Sequence, residues 1–116
     1  MRMWMVEPRL MCRKHLLGEH VELHMLVGSL QRGRSIAGFL SRGLLEPQHI
    51  RERHDVLVAE MTRRGYTHNS ALAEYQTEIT CKVDGQKSLQ DLSGRCSECA
   101  RRIKVQGGWG DVSDSF

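Results

Sequence analysis

The α-amino group of Met1 is the least ordinary nucleophile that this sequence offers. An α-amine titrates near 7.7–8.0 and a lysine near 10.4, so roughly a tenth of the former is free base at neutral pH. Beside a carboxylate, such an amine can form an imine without special tuning of its pKa. Arg2 is too large for the usual removal of an initiator methionine, so Met1 is expected to remain and to carry the free amine. Every chain has a terminal amine, however, and this feature alone assigns no function.

Cysteine and histidine provide the other reactive spacings. Cys96 and Cys99 form a Cys-Ser-Glu-Cys turn, the spacing of half a tetrahedral zinc site. Cys12 and Cys81, or a histidine such as His68, are candidates to complete it. Two helical cysteines facing a small core explain the same residues more simply, a redox pair is a third reading, and no metal is assigned. His20 and His24 stand four apart, as a metal-binding pair on one helix would. His20 lies toward the apolar stripe, where a satisfied, partly buried histidine is the simpler reading.

Three helices are needed to position these groups. Cys12, Leu16, Leu23, Val27 and Leu30 make one stripe of a helix over about residues 11–31, and Gly33 suits its stop. His15, Gly18, Glu22, Met25 and Ser29 share the opposite face, where Gly18 suggests that something packs closely beside Glu22. A short helical stretch is expected at Ile36–Ser41. A second helix begins at Pro47, takes its core stripe from Ile50, Leu57, Val58 and Met61, and stops at Gly65. Residues 66–86 read as irregular, since the alternation in Gln76–Val83 has no strand to pair with. A third helix is expected over Ser88–Lys104, with Gly94 a weak point inside it.

With 116 residues, 40% of them hydrophobic and 27% charged, the chain makes one globular domain and too little core for two. No apolar run approaches the roughly 20 residues of a membrane helix. Arg2, Glu7, Pro8 and Arg9 exclude a secretory hydrophobic region in the first ten residues. A cytoplasmic protein with reduced thiols is therefore expected. The net charge of +3 is uneven: residues 1–64 hold eleven basic and seven acidic side chains, and residues 65–116 hold six and seven. An anionic polymer would meet the first half, with Arg32, Arg34, Arg42, Arg51, Arg53, Arg63 and Arg64 as candidate phosphate contacts.

The stretch Lys14–Val27 contains His15-Leu16-Leu17-Gly18-Glu19-His20-Val21-Glu22-Leu23, an H-L-x-x-E-x-x-E-L pattern. Together with His54–Tyr66, which ends Arg63-Arg64-Gly65-Tyr66, it resembles the phage-type pyrimidine-dimer DNA glycosylases, the endonuclease V family. The resemblance covers about residues 1–30 and 44–68. It implies an all-α, compact three-helix domain over residues 1–105, with the N-terminal segment packed between the helices; residues 106–116, rich in Gly and Asp, read as a flexible tail. It also implies that the second glutamate, Glu22, is the catalytic carboxylate and that the Met1 α-amine is the nucleophile. Arg2 would hold a phosphate, His15 would contact DNA near the site, and a weaker match puts Arg95 on a DNA-contacting arginine and Trp109 on a C-terminal aromatic.

The implied reaction needs no cofactor and no metal. Its partner is double-stranded DNA with a damaged base, a UV dimer by resemblance, met by a monomer in a bacterial or phage-infected cytoplasm, without a membrane. The glycosylase would also act as an abasic-site lyase through an imine. The chain departs from the phage prototype at Val21 and Met25, where the prototype has arginines. Each missing contact is worth about 1–3 kcal/mol. Arg9, Arg13, Lys14 and His24 are the neighbours placed to compensate. The other reading of the departures is a non-catalytic DNA-binding or partner-binding protein that keeps the fold.

Overall fold

The structure is a computed structural model and describes residues 1–68 and 70–106. The expected tail, with Trp109, lies outside the described residues from residue 107 onward. The fold is all-helical: α1 spans Arg13–Gln31, α2 Ala37–Ser41, α3 Ile50–Arg63, α4 Gly85–Arg95 and α5 Ser97–Val105. Short 3₁₀ turns at Pro8–Leu10 and Pro47–His49 lead into α1 and α3. The first two expected helices and the short stretch at 37–41 are present, and the third is split in two at Cys96.

Each boundary has a local cause. Cys12 caps α1, its sulfur accepting the His15 N–H at 3.5 Å, so this helix starts two residues later than its apolar stripe suggested. Cys96 is extended (φ −134°, ψ 112°) and its sulfur accepts the Cys99 N–H at 3.4 Å. One residue therefore ends α4 and caps α5, and the break falls there rather than at Gly94. Gly33 and Gly65 stop α1 and α3 in the left-handed region, φ +68° and +84°. After Gly65 the Tyr66 N–H reaches the Met61 carbonyl at 2.9 Å and the Gly65 N–H reaches Thr62 at 2.9 Å, the paired closure that a left-handed residue permits.

Leu16, Leu23 and Val27 of α1 pack with Ile50, Leu57 and Met61 of α3, while Leu89, Leu92, Cys99 and Ile103 bring α4 and α5 into the same core. The N-terminal segment is part of that core, with Met3, Trp4 and Val6 buried. The Met3 N–H donates to the Leu44 carbonyl at 2.8 Å, and Arg53 of α3 donates to the Val6 carbonyl at 2.8 Å. The segment thus threads between the helices, as expected. Gly18 does not mark the place: a side chain there would meet open space. The narrow passage inferred from that glycine is absent, and Gly18 belongs to an exposed face of α1.

Residues 70–84 run without regular structure, tied down by side chains instead of by a strand. The Gln48 amide donates to the Cys81 carbonyl at 2.6 Å and accepts the Cys81 N–H at 3.1 Å. Gln31 donates to the Glu74 carbonyl at 2.8 Å, and buried Glu46 accepts the Val83 N–H at 2.7 Å. These groups do what a neighbouring strand would have done for an extended backbone. They hold residues 82–84 beside the N-terminus of α4.

Candidate active site

The N-terminal segment, α1, the residues around Gly43 and α4 enclose a cleft of about 900 Å³. Met1, Arg2 and Glu22 form part of its wall. Glu22 sits mid-way along α1 and is half-buried. Its Oε2 accepts the backbone N–H of Arg2 at 3.3 Å. Successive backbone nitrogens are no more than about 3.8 Å apart, so the Met1 amine lies within roughly 7 Å of that carboxylate oxygen. A reacting atom placed between the two would be in reach of both.

Arg2 fastens this arrangement to α4. Its guanidinium donates to Asp91 Oδ2 at 3.0 Å and to Ser88 Oγ at 3.4 Å, and it stacks 3.8 Å from the centre of the Trp4 ring. The hydrogen bond from Arg2 holds the Asp91 carboxyl below its usual range. The Nε of Arg2 is buried with no acceptor among the described residues. Around the cleft stand Arg42, Lys82, Lys87 and Arg95. With Arg2 they make five cationic side chains against the three carboxylates Glu22, Asp84 and Asp91, a setting that attracts a polyanion.

Of the residues expected from the sequence, Met1, Arg2, Glu22 and Arg95 are brought to one cleft. Arg13 and Lys14 are exposed on the first turn of α1 outside it, Arg13 facing the Tyr66 ring at 5.3 Å. His15 faces the cysteines, its Nδ1 3.2 Å from Cys12 Sγ and 3.7 Å from Cys99 Sγ. Two of the basic residues weighed as phosphate contacts turn inward. Arg53 is buried on Glu19, and Arg64 donates to the Pro8 and Met11 carbonyls at 3.1 and 2.7 Å. Lys82 and Lys87 were missed, because the charge balance of the two halves pointed to residues 1–64. No local signal marks them: Lys82 is brought to the cleft by long-range hydrogen bonds such as those of Gln48 and Glu46, and Lys87 by the packing of α4.

Among the described residues, two further side-chain clusters are of metal-ligand type. Cys12, His15, Cys96 and Cys99 place their ligand atoms within 4.8 Å of one another, and so do His20, His24, His54 and His68. Cys81 joins neither, its sulfur donating instead to the Leu40 carbonyl at 3.7 Å. The sequence placed Cys12, Cys96 and Cys99 together and paired His20 with His24, but it offered His68 to the cysteines, whereas the structure sets it with the histidines. It missed His15 and His54 as members because the pairings cross from α1 to other elements.

A helical domain whose second residue is hydrogen-bonded to a carboxylate at the wall of a cationic cleft has the charge to hold an anionic polymer. The family model for pyrimidine dimer DNA glycosylase matches residues 1–74, and the chain belongs to that family. No curated protein and no solved structure gives a significant match. The matched residues include Met1, Arg2 and Glu22, whereas α4, α5 and the Cys96–Cys99 pair lie beyond them.

Proposed function

We propose that the protein is a bifunctional DNA glycosylase that excises a damaged pyrimidine, a UV dimer by family, and then cleaves at the abasic site. The observation that carries the reading is the hydrogen bond from the Arg2 N–H to Glu22, which keeps the residue next to Met1 at the acid. The Met1 amine, as free base, attacks C1′ of the target nucleotide. The C1′–N bond breaks, the base leaves with its electron pair and takes up a proton, and the opened sugar remains as a protonated imine. Glu22 stabilises the cationic transition state and removes a C2′ proton. β-Elimination then expels the 3′ phosphate, and water releases the sugar from the amine. Arg2 and the surrounding cations receive phosphates, while the 900 Å³ cleft accommodates an extruded nucleotide.

Borohydride trapping tests this mechanism. Protein with an authentic Met1, incubated with UV-irradiated or abasic duplex DNA, is expected to give a covalent adduct whose peptide map places the link on residue 1. A residue added before Met1 is expected to abolish trapping. No adduct with the authentic start overturns the imine.

One observation favours a second reading. Val21 and Met25, at the places of the prototype's arginines, are each 54% exposed on α1 beside Glu22. Without those two cations beside the acid, the face suits a DNA-binding or partner-binding protein that keeps the fold and has lost recognition of the dimer. That reading predicts salt-dependent DNA binding and no trapped adduct.

A further inference from the structure

We propose that Cys12, His15, Cys96 and Cys99 form a closed, four-coordinate structural site for Zn²⁺. Zinc takes sulfur at about 2.3 Å and nitrogen at about 2.0–2.1 Å, so a tetrahedral Cys₃His site has S···S edges of about 3.8 Å and S···N edges of about 3.6 Å. Cys12 Sγ stands 3.8 Å from Cys96 Sγ, and His15 Nδ1 stands 3.2 and 3.7 Å from Cys12 Sγ and Cys99 Sγ. A disulfide needs about 2.05 Å, and all four cysteines of the chain are free thiols.

The four residues come as two pairs with the same spacing, Cys12-x-x-His15 and Cys96-x-x-Cys99. Each pair opens a helix with a cysteine at the cap, so two helix N-termini point their positive ends at the sulfurs. The Cys12 N–H also donates to Cys99 Sγ at 3.2 Å, a bond that stabilises a thiolate. On binding, three thiols release three protons and Zn²⁺ takes three thiolates and one neutral imidazole, leaving the site at −1. No ligand position stays open, so the role is structural. The metal fastens the start of α1 to the start of α5 and thereby fixes α4, which carries Ser88, Asp91 and Arg95 in the cleft wall. This inference stands independently of the glycosylase reading.

Reduced, metal-free full-length protein titrated with Co²⁺ tests the site. One equivalent is expected to produce thiolate-to-cobalt charge-transfer bands and the intense visible bands of tetrahedral cobalt, all removed by Zn²⁺. The C96S/C99S variant should lose these bands, whereas H15C should keep them as an all-sulfur site. Absence of charge-transfer bands in the unmodified chain overturns the proposal without recourse to any variant. So does a band set unchanged by C96S/C99S, or a mass two units low that reports a disulfide in the reduced preparation.

A separate observation points to a second metal site on the other side of α1. His20, His24, His54 and His68 set their rings 4.7–5.3 Å apart, mostly edge to face, and the buried Nε2 atoms of His24 and His54 have no hydrogen-bond partner among the described residues. His20 Nε2 meets His68 Nε2 at 2.9 Å. Four imidazoles that share nitrogens and leave two of them orphaned make a donor set for a late first-row divalent ion. Protein equilibrated with Zn²⁺ and desalted is expected to hold two equivalents. H24N/H54N is expected to hold one and to keep the cobalt–thiolate bands. A single equivalent in the unmodified chain with those bands present, or two in H24N/H54N, overturns this second site.

Discussion

Arg53 closes a two-pronged, buried ion pair on Glu19: Nε to Oε2 at 2.6 Å and Nη2 to Oε1 at 2.9 Å. Glu19 is 1% exposed and Arg53 6%. The remaining arm of Arg53 reaches the Val6 carbonyl, so one guanidinium joins α1, α3 and the N-terminal segment that carries Met1. The two glutamates of the H-L-x-x-E-x-x-E-L pattern therefore have separate duties. Glu19 holds the scaffold, and Glu22, three residues on, faces the cleft.

Removing one member of that pair leaves a buried charge without its partner, a loss of about 3–5 kcal/mol in comparable cases. Glu19→Gln and Arg53→Met are each expected to lower Tm by more than about 10 °C in circular dichroism melts. The double variant is expected to be more stable than either single one, because no charge is stranded. Additive losses in the double variant would show that the pair is not coupled.

Glu22→Gln keeps the shape and the acceptor for the Arg2 N–H but removes the charge and the base. Turnover on a defined-lesion duplex is expected to fall by about 10²–10⁴. Affinity, measured by fluorescence anisotropy, should change by less than about threefold. Normal cleavage by this variant would remove Glu22 from the mechanism.

Val21 and Met25 are exposed and lie next to Glu22 along α1, so substitution there should not disturb the core. V21R/M25R is expected to bind duplex DNA more tightly. Its plot of log affinity against log salt should steepen by nearly 2, one unit for each phosphate gained. An unchanged slope would mean that this face of α1 does not meet DNA.

Glu60 at the end of α3 accepts hydrogen bonds from Arg63 and Arg64, which outweigh its burial and draw its carboxyl from 4.5 down to about 2. A folded-state pKa below the unfolded value means stability that is present above about pH 4.5 and lost as pH falls through 2. The Arg63 arm is exposed, so the contribution is on the order of 2 kcal/mol or less. The Tm difference between the unmodified chain and Glu60→Gln should be largest above pH 4.5 and should vanish by about pH 2. A difference independent of pH would assign the effect to packing.

Local interactions in the sequence determined much of this protein. Apolar residues recurring at helical spacing, Pro47 at a start, and Gly33 and Gly65 at stops act over a few residues, so they were legible without coordinates. So was the family pattern around Glu22, which lies within one helix and at a constant distance from residue 1. Tertiary structure decided what depends on contacts far apart in the chain. It chose between the two glutamates by placing Arg53 opposite the first. It turned Arg64 inward and brought Lys82 to the cleft by way of Gln48 and Glu46, and Lys87 by the packing of α4. It also set Cys12 and His15 against Cys96 and Cys99, more than eighty residues away. Pairings of that kind follow from the packing of whole helices against one another, and side-chain spacing along a single chain carries no record of them.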